Sequence, residues 1–311
     1  MKSLGIIVPC YNEEEVIGQT SERLARLLDR LIDQKQISSD SGIYFIDDGS
    51  RDQTWSHIEN LSKQSKRVHG VKLSRNFGHQ NALLAGLLTV PGDMLVSIDA
   101  DLQDDVDAIE TMVAEHGKGA EIVLGVRSDR RSDSRLKRLT AEGFYDLCSL
   151  LGIEIAANHA DFRLMSRKAV NALARYPEVN LFIRGIIPNL GFRSSIVEYE
   201  RTPRLAGTTK YPYTRMISLA LSGITSFSIR PLRLIMAVGF LIALASFVMG
   251  VIAIAMALGL YYTVPGWAST VVPMYFLGGI QLFALGLIGE YIGKIYLETK
   301  GRPRYIIEKK I

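Results

Sequence analysis

Between residues 234 and 289 the chain has no charged side chain at all. Charged residues make up 22% of the 311, so a stretch of that length should hold roughly 12 of them. The gap excludes a wholly soluble protein. Cysteine is scarce too: Cys10 and Cys148 lie far apart with no Cys-x-x-Cys spacing, which argues against a disulfide framework and a zinc site. Both are expected as buried thiols in a reducing compartment. Five scattered histidines make no metal-binding pattern. The apolar run 4–8 is too short for a signal-peptide core and is followed by Asn12-Glu13-Glu14-Glu15, so the front of the chain is expected to stay in the cytosol.

The net charge of +4 does not indicate nucleic acid. Six Lys/Arg against three Glu follow Gly289, and without them 30 basic residues face 29 acidic ones. The excess therefore sits in a short tail beside the apolar region, where cytoplasmic flanks of membrane helices carry it. No basic stripe is left for a nucleic-acid footprint.

In the first half, strand-like and helix-like stretches alternate: apolar runs at 5–8, 43–46, 68–73, 94–98 and 122–126, with helical periodicity at 13–33, about 50–66, 80–88 and 106–115. Such alternation predicts βαβ units and a largely parallel sheet, with ligands outside the carboxyl ends of its strands. Further on we expect a helix over 139–150, a strand-like piece at 161–166, another helix, and a strand at 196–199. Residues 211–229 mix aromatic, apolar and basic side chains like a helix lying in a membrane interface. Residues 234–260 give about 40 Å of helix against a hydrocarbon core of roughly 30 Å, and 271–292 form a second span. An aromatic turn at 261–267 separates them. Arg230 and Arg233 before the hairpin and the basic tail after it put both ends in the cytosol. The expected layout is a catalytic domain at 1–210, interfacial helices at 211–231, two transmembrane helices within 232–292 and a basic tail at 293–311.

Asp99-Ala100-Asp101 follows a strand at the edge where ligands bind. Two carboxylates one residue apart can share Mg²⁺ or Mn²⁺ on a diphosphate, and Gln103 offers another oxygen. Pro9-Cys10-Tyr11-Asn12-Glu13 ends the first strand and Asp47-Asp48-Gly49-Ser50 the second. Turn and cap chemistry accounts for one of Asp47 and Asp48. Three acidic loops at successive strand ends call for a common ligand, and a nucleotide diphosphate with its metal supplies one.

These motifs, with Arg75-Asn76-Phe77-Gly78, resemble glycosyltransferase family 2, which has the GT-A fold. More narrowly the chain resembles the bacterial polyisoprenyl-phosphate (bactoprenol) glucosyltransferases, relatives of dolichyl-phosphate mannose synthase. Arg127-Ser128-Asp129-Arg130, Leu136-Lys137-Arg138, Asp161-Phe162-Arg163-Leu164-Met165-Ser166, Gly207-Thr208-Thr209-Lys210-Tyr211, Gly289-Glu290-Tyr291-Ile292-Gly293 and Glu298-Thr299-Lys300-Gly301-Arg302-Pro303 carry that likeness over almost the whole chain. It implies a Rossmann-like GT-A catalytic domain with a mostly parallel sheet, interfacial helices and a two-helix transmembrane hairpin. It also implies that Pro9, Tyr11, Glu13 and Asp48 surround the donor's base and ribose, and that Asp99, Asp101 and Gln103 handle metal and diphosphate. Asp161 corresponds to a proposed catalytic carboxylate, either a base or an orienter of basic residues. Arg127, Arg138, Arg204 and Lys210 match positions expected near donor or acceptor phosphate. A departure is Asp104-Asp105, where many relatives have a proline after the glutamine.

The expected activity is inverting, metal-dependent transfer of one sugar to undecaprenyl phosphate at the cytoplasmic face of a bacterial inner membrane, for cell-envelope glycans such as O-antigen. UDP-glucose is the expected donor; UDP-N-acetylglucosamine, GDP-mannose and UDP-aminoarabinose are the alternatives. An acceptor phosphate is already an anion at pH 7 and needs positioning more than a strong base. A processive polysaccharide synthase would carry Gln-x-x-Arg-Trp, which Trp55 and Trp267 lack. A non-catalytic nucleotide-sugar-binding protein would not need both carboxylates and the basic cluster. A flippase role is disfavoured because the spans have no ionisable residue to line a polar path. Gly289 and Gly293 form a GxxxG pattern that, with the resemblance, leans towards a homo-oligomer such as a tetramer.

Overall fold

The computed structural model describes residues 1–127, 159–178, 183–200, 230–255 and 267–311. The expected helix at 139–150, the interfacial stretch 211–229 and the turn before Trp267 lie outside these, as do Cys148, Arg138, Arg204 and Lys210.

The chain divides into two units: Met1–Asp146 with Glu154–Tyr211 and Arg302–Ile311, and Leu147–Ile153 with Pro212–Gly301. In the first, strands and helices follow in the expected order. They are β1 (Leu4–Cys10), α1 (Ile17–Asp33), β2 (Gly42–Asp47), α2 (Thr54–Gln64), β3 (Val68–Leu73), α3 (His79–Thr89), β4 (Met94–Ser97), α4 (Ala108–Gly117) and β5 (Ile122–Arg127). After them come β6 (His159–Ser166), α5 (Arg167–Leu173), the single turn α6 (Ile183–Ile186), a 3-10 turn and β7 (Ser194–Tyr199). All seven residues of β1 are buried, as a strand covered on both faces requires. Helix α1 buries Leu24, Leu27, Leu28 and Leu31, spaced as one face of a 3.6-residue helix. Helix α3 comes so close to the sheet that a Cβ on Gly86 would stand 2.4 Å from Ile7 Cγ2.

With β8 (Ile307–Lys310) at the end of the chain, the strand order is β7-β5-β6-β4-β1-β2-β3-β8. Pairs β1–β2, β1–β4, β2–β3 and β5–β7 are parallel, whereas β4–β6, β5–β6 and β3–β8 are antiparallel. The sheet is mixed, with parallel pairs in the majority as expected. Periodicity identifies a strand but not its direction, and β6 runs back between β4 and β5.

The basic tail is also more than a tail. Ile307–Lys310 forms β8, which caps the β3 edge; Ile311 exchanges both backbone hydrogen bonds with Gly70 at 2.9 and 3.1 Å. Lys309 pairs with Glu59 at 2.7 Å and Lys72 with Glu308 at 3.2 Å. Charge hid this strand from pattern reading, yet charged, lysine-rich residues suit a sheet edge. Deleting residues 303–311 would remove this ladder and the Ile311 packing, worth roughly 2–4 kcal/mol together. The expected result is a lower melting midpoint with faster aggregation; an unchanged midpoint would mean that β8 adds nothing.

The second unit contains two long helices, α7 (Arg230–Ala255) and α8 (Trp267–Thr299). Among the described residues, Phe276–Thr299 is the stretch long and apolar enough to cross a membrane. Both helices expose large apolar side chains, among them Met236, Phe240 and Leu241 on α7 and Leu282, Phe283 and Leu285 on α8. No charge follows Arg233 in α7.

Candidate active site

Strand register brings the chemistry to one sheet edge. Cys10 lies beside Asp47 and Ile7 beside Ser97, so the loops after β1, β2 and β4 emerge together. Because β6 is antiparallel to β4, with Arg163 opposite Ser97, the start of β6 and its Asp161 reach the same edge. Arg127 and Tyr199 are register partners at the ends of β5 and β7 and arrive there too.

The first two loops are sewn to each other. Asn12 N–H donates to Ser50 Oγ at 3.0 Å, Arg51 N–H to Asn12 Oδ1 at 2.9 Å, and Glu13 N–H to Thr54 Oγ1 at 2.8 Å. Asn12 sits in the left-handed region with φ 56°, uncommon for a non-glycine residue and typical of places held by function. Pro9 is buried inside β1, while the Tyr11 side chain is exposed. Asp47 accepts from Ser50 N–H at 3.1 Å, as turn chemistry predicts. Asp48 accepts from the backbone N–H groups of Phe77 and Gly78 at 2.7 and 2.9 Å, fastening the 75–78 loop. Gly49, with φ 68°, is needed there, since a Cβ would lie 2.4 Å from the carbonyl carbon of Arg75.

After β4, Thr20 Oγ1 donates to Ala100 O at 2.7 Å and Leu102 takes φ 53°. Asp101 Oδ1 accepts from Gln103 N–H at 3.2 Å, and Gln103 is buried. Burial, then the charges of Asp104, Asp161 and Asp101, push the Asp99 carboxyl above its ordinary value, with His79 opposing. Asp104 is also buried; its Oδ1 accepts from the Tyr199 hydroxyl at 2.6 Å and from Arg127 Nη2 at 3.4 Å. Burial and the Asp104 charge raise the Tyr199 phenol.

Among the described residues, no group of three His, Cys, Asp or Glu side chains is placed to hold a metal alone. A divalent cation would take Asp99 and Asp101 and complete its shell from phosphate oxygens and water, the usual habit of Mg²⁺. The acidic side chains gathered around Asp99 fit that role.

Asp161 is the most heavily partnered group. Arg163, on the same strand, pairs with its Oδ1 and donates from Nε to its backbone carbonyl at 3.4 Å. Arg184, on α6, grips both oxygens, Nε to Oδ1 at 3.1 Å and Nη2 to Oδ2 at 2.9 Å. Gln80 Nε2 donates to Oδ2 at 3.1 Å, and His79 Nε2 stands 3.3 Å from it and 3.7 Å from Asp99 Oδ1. Burial would raise the Asp161 carboxyl, but His79, Arg184 and Arg163 outweigh it and hold it well below the carboxylate range. Burial likewise lowers the His79 imidazole, and the Asp161 hydrogen bond with the charges of Asp99 and Asp161 lifts it above its ordinary value.

The edge thus unites Asp99, Asp101, Gln103, Arg127 and Asp161 with the Tyr11, Glu13 and Asp48 loops. Sequence reasoning missed His79, Gln80, Asp104, Arg163, Arg184 and Tyr199. Three of them, His79, Asp104 and Arg163, adjoin or lie within motifs already singled out. Arg184 has no such signal, being a lone cation in a single helical turn.

Residues 5–174 match glycosyl transferase family 2, and residues 230–295 match the GtrB C-terminal hairpin. The chain is 50% identical to the glycosyltransferase YkoT of Bacillus subtilis, over 98% of this chain and 91% of that protein. It is 42% identical to the bactoprenol glucosyl transferase of Shigella phage SfX, over 99% of each. Against the prophage bactoprenol glucosyl transferase homolog of Escherichia coli K12 the identity is 42%, over 98% of each. Glucosyl-3-phosphoglycerate synthase from Mycobacterium tuberculosis superposes with a TM-score of 0.49 at 19% identity, over 72% of this chain and 76% of that one.

Proposed function

The chain belongs to glycosyl transferase family 2, and from that premise we propose that it moves one glucose from UDP-glucose, with inversion, onto undecaprenyl phosphate at the cytoplasmic face of a bacterial membrane. The observation that carries this reading is the 42% identity to bactoprenol glucosyl transferases over the whole chain, the hairpin region included.

In this reading an acceptor phosphate oxygen bonds to the anomeric carbon as the bond to the donor diphosphate breaks, and UDP leaves with the electron pair. Asp99 and Asp101, with Gln103 beside them, would hold Mg²⁺ or Mn²⁺, which would neutralise the departing diphosphate. Pro9, Tyr11, Glu13 and Asp48 frame the nucleoside. Arg127 meets phosphate, and Arg138, Arg204 and Lys210 serve the same end. Asp161 is held ionised by two guanidiniums and is a weak base at neutral pH, which favours an orienting role. Helices α7 and α8 cross the bilayer as a hairpin with both ends in the cytosol, as the flanking Arg230, Arg233, Lys294 and Lys300 favour. Gly289 and Gly293, with open space above each Cα, offer a face for a homo-oligomer.

The test is sugar transfer in detergent with undecaprenyl phosphate, Mn²⁺ or Mg²⁺, and labelled UDP-glucose, UDP-N-acetylglucosamine, GDP-mannose or UDP-aminoarabinose. Label entering the lipid phase from UDP-glucose alone is the expected outcome. Label from another donor would replace the sugar, and none from any donor would end the transferase reading.

A further inference from the structure

Asp161 faces more positive charge than it can neutralise. Arg163 is 1% exposed and already closes a buried pair with it. Arg184 adds a second guanidinium from the open side, 38% exposed. A closed pair needs no second cation, so Arg184 has charge to offer something else.

Geometry says where. The two-point grip uses one N–H of Nε and one of Nη2, which leaves three of the five guanidinium protons directed elsewhere in a fixed plane. The Arg184 charge feels Asp99 beyond Asp161 and, more weakly, the opposing charge of Arg127. Arg127 is itself part-exposed and is held from behind by Asp104 and by the Tyr199 hydroxyl at 3.3 Å. Each arginine is thus fixed by a buried carboxylate, Arg184 on Asp161 beside Asp99 and Arg127 on Asp104. Two held, mutually repelling cations suit a phosphate oxyanion.

We propose that Arg184, fixed by Asp161, is a phosphate-binding residue of the reaction centre, acting with Arg127 on one of the two reacting phosphate groups. Asp161 is then a positioning residue. The assignment rests on the transferase reading, and the phosphate is either that of the lipid acceptor or that of the nucleotide donor.

The experiment varies each substrate in turn with the full-length protein in detergent. Arg184→Gln should raise KM for one phosphate substrate about 10- to 100-fold, as loss of a charged hydrogen bond does, with a smaller change in kcat. A shift in the lipid-phosphate KM identifies the acceptor; a shift in the nucleotide-sugar KM identifies the donor. Arg184→Lys should fall between, and added guanidinium should restore activity to Arg184→Ala. Melting midpoints report whether each variant is folded. Both KM values unchanged within about twofold, or a loss of kcat that guanidinium does not rescue, would overturn the assignment. If the wild type makes no sugar-lipid, the transferase reading fails by itself. Inorganic pyrophosphate titrated into wild type and Arg184→Gln then decides Arg184: weaker binding by the variant supports it, and equal binding overturns it.

Discussion

Asp99→Asn should cut sugar transfer by about 10²–10³-fold while leaving the protein as stable as before, or more so. The two effects have one source. Asp99 is part-buried among Asp104, Asp161 and Asp101, and its carboxyl binds a proton more tightly than in an unfolded chain. A carboxylate with a raised pKa costs stability once it is ionised, and the cost shrinks as pH falls through the folded value. Asparagine removes that cost along with the metal ligand. Initial rates across Mn²⁺ concentrations and melting midpoints at neutral pH check both halves. A variant that keeps transfer within about tenfold would take Asp99 out of the diphosphate site.

Asp161→Ala should be the most destabilising change at the site, by about 3–5 kcal/mol. It leaves the Arg163 guanidinium fully buried with only the backbone carbonyl of residue 161. Arg163→Met in the same chain should recover most of the lost stability, because a buried pair replaced by apolar volume is far less costly than half a pair. Transfer should not return, since Arg184 still lacks its clamp. The acid side follows from the depressed Asp161 pKa: its stabilisation is complete above the unfolded carboxyl value near about 3.9 and is lost as pH falls below that. Denaturant midpoints of the single and double variants test this, and a double variant no more stable than Asp161→Ala would refute the charge argument.

How far these sites were legible depends on what each residue touches. Asp99 and Asp101 could be read because a strand followed by two spaced carboxylates points to one sheet edge wherever its neighbours lie. Asp161 could be named only through resemblance, since its arrival at that edge needs β6 to run antiparallel and direction leaves no mark in periodicity. Arg184 reaches Asp161 across 23 positions on a single turn of helix, a contact no spacing announces. Asp48 is instructive in another way. Besides its expected place near the donor nucleoside, it ties down the 75–78 loop, both its oxygens taking backbone N–H groups some 30 residues on. Strand β8 was hidden because edge pairing uses the backbone and tolerates Glu308, Lys309 and Lys310.

That edge strand also sets an order of events during synthesis. Seven of the eight sheet strands have left the ribosome by Tyr199, but the eighth begins at Ile307, behind both long helices. At about 5–20 residues per second the intervening stretch of about 110 residues takes roughly 5–20 s. Throughout that interval the nascent sheet has a bare β3 edge, open to pairing with another chain. A ribosome that stalls inside either helix releases a sheet still open on that side. Completion of the sheet thus reports that translation has passed through both apolar segments.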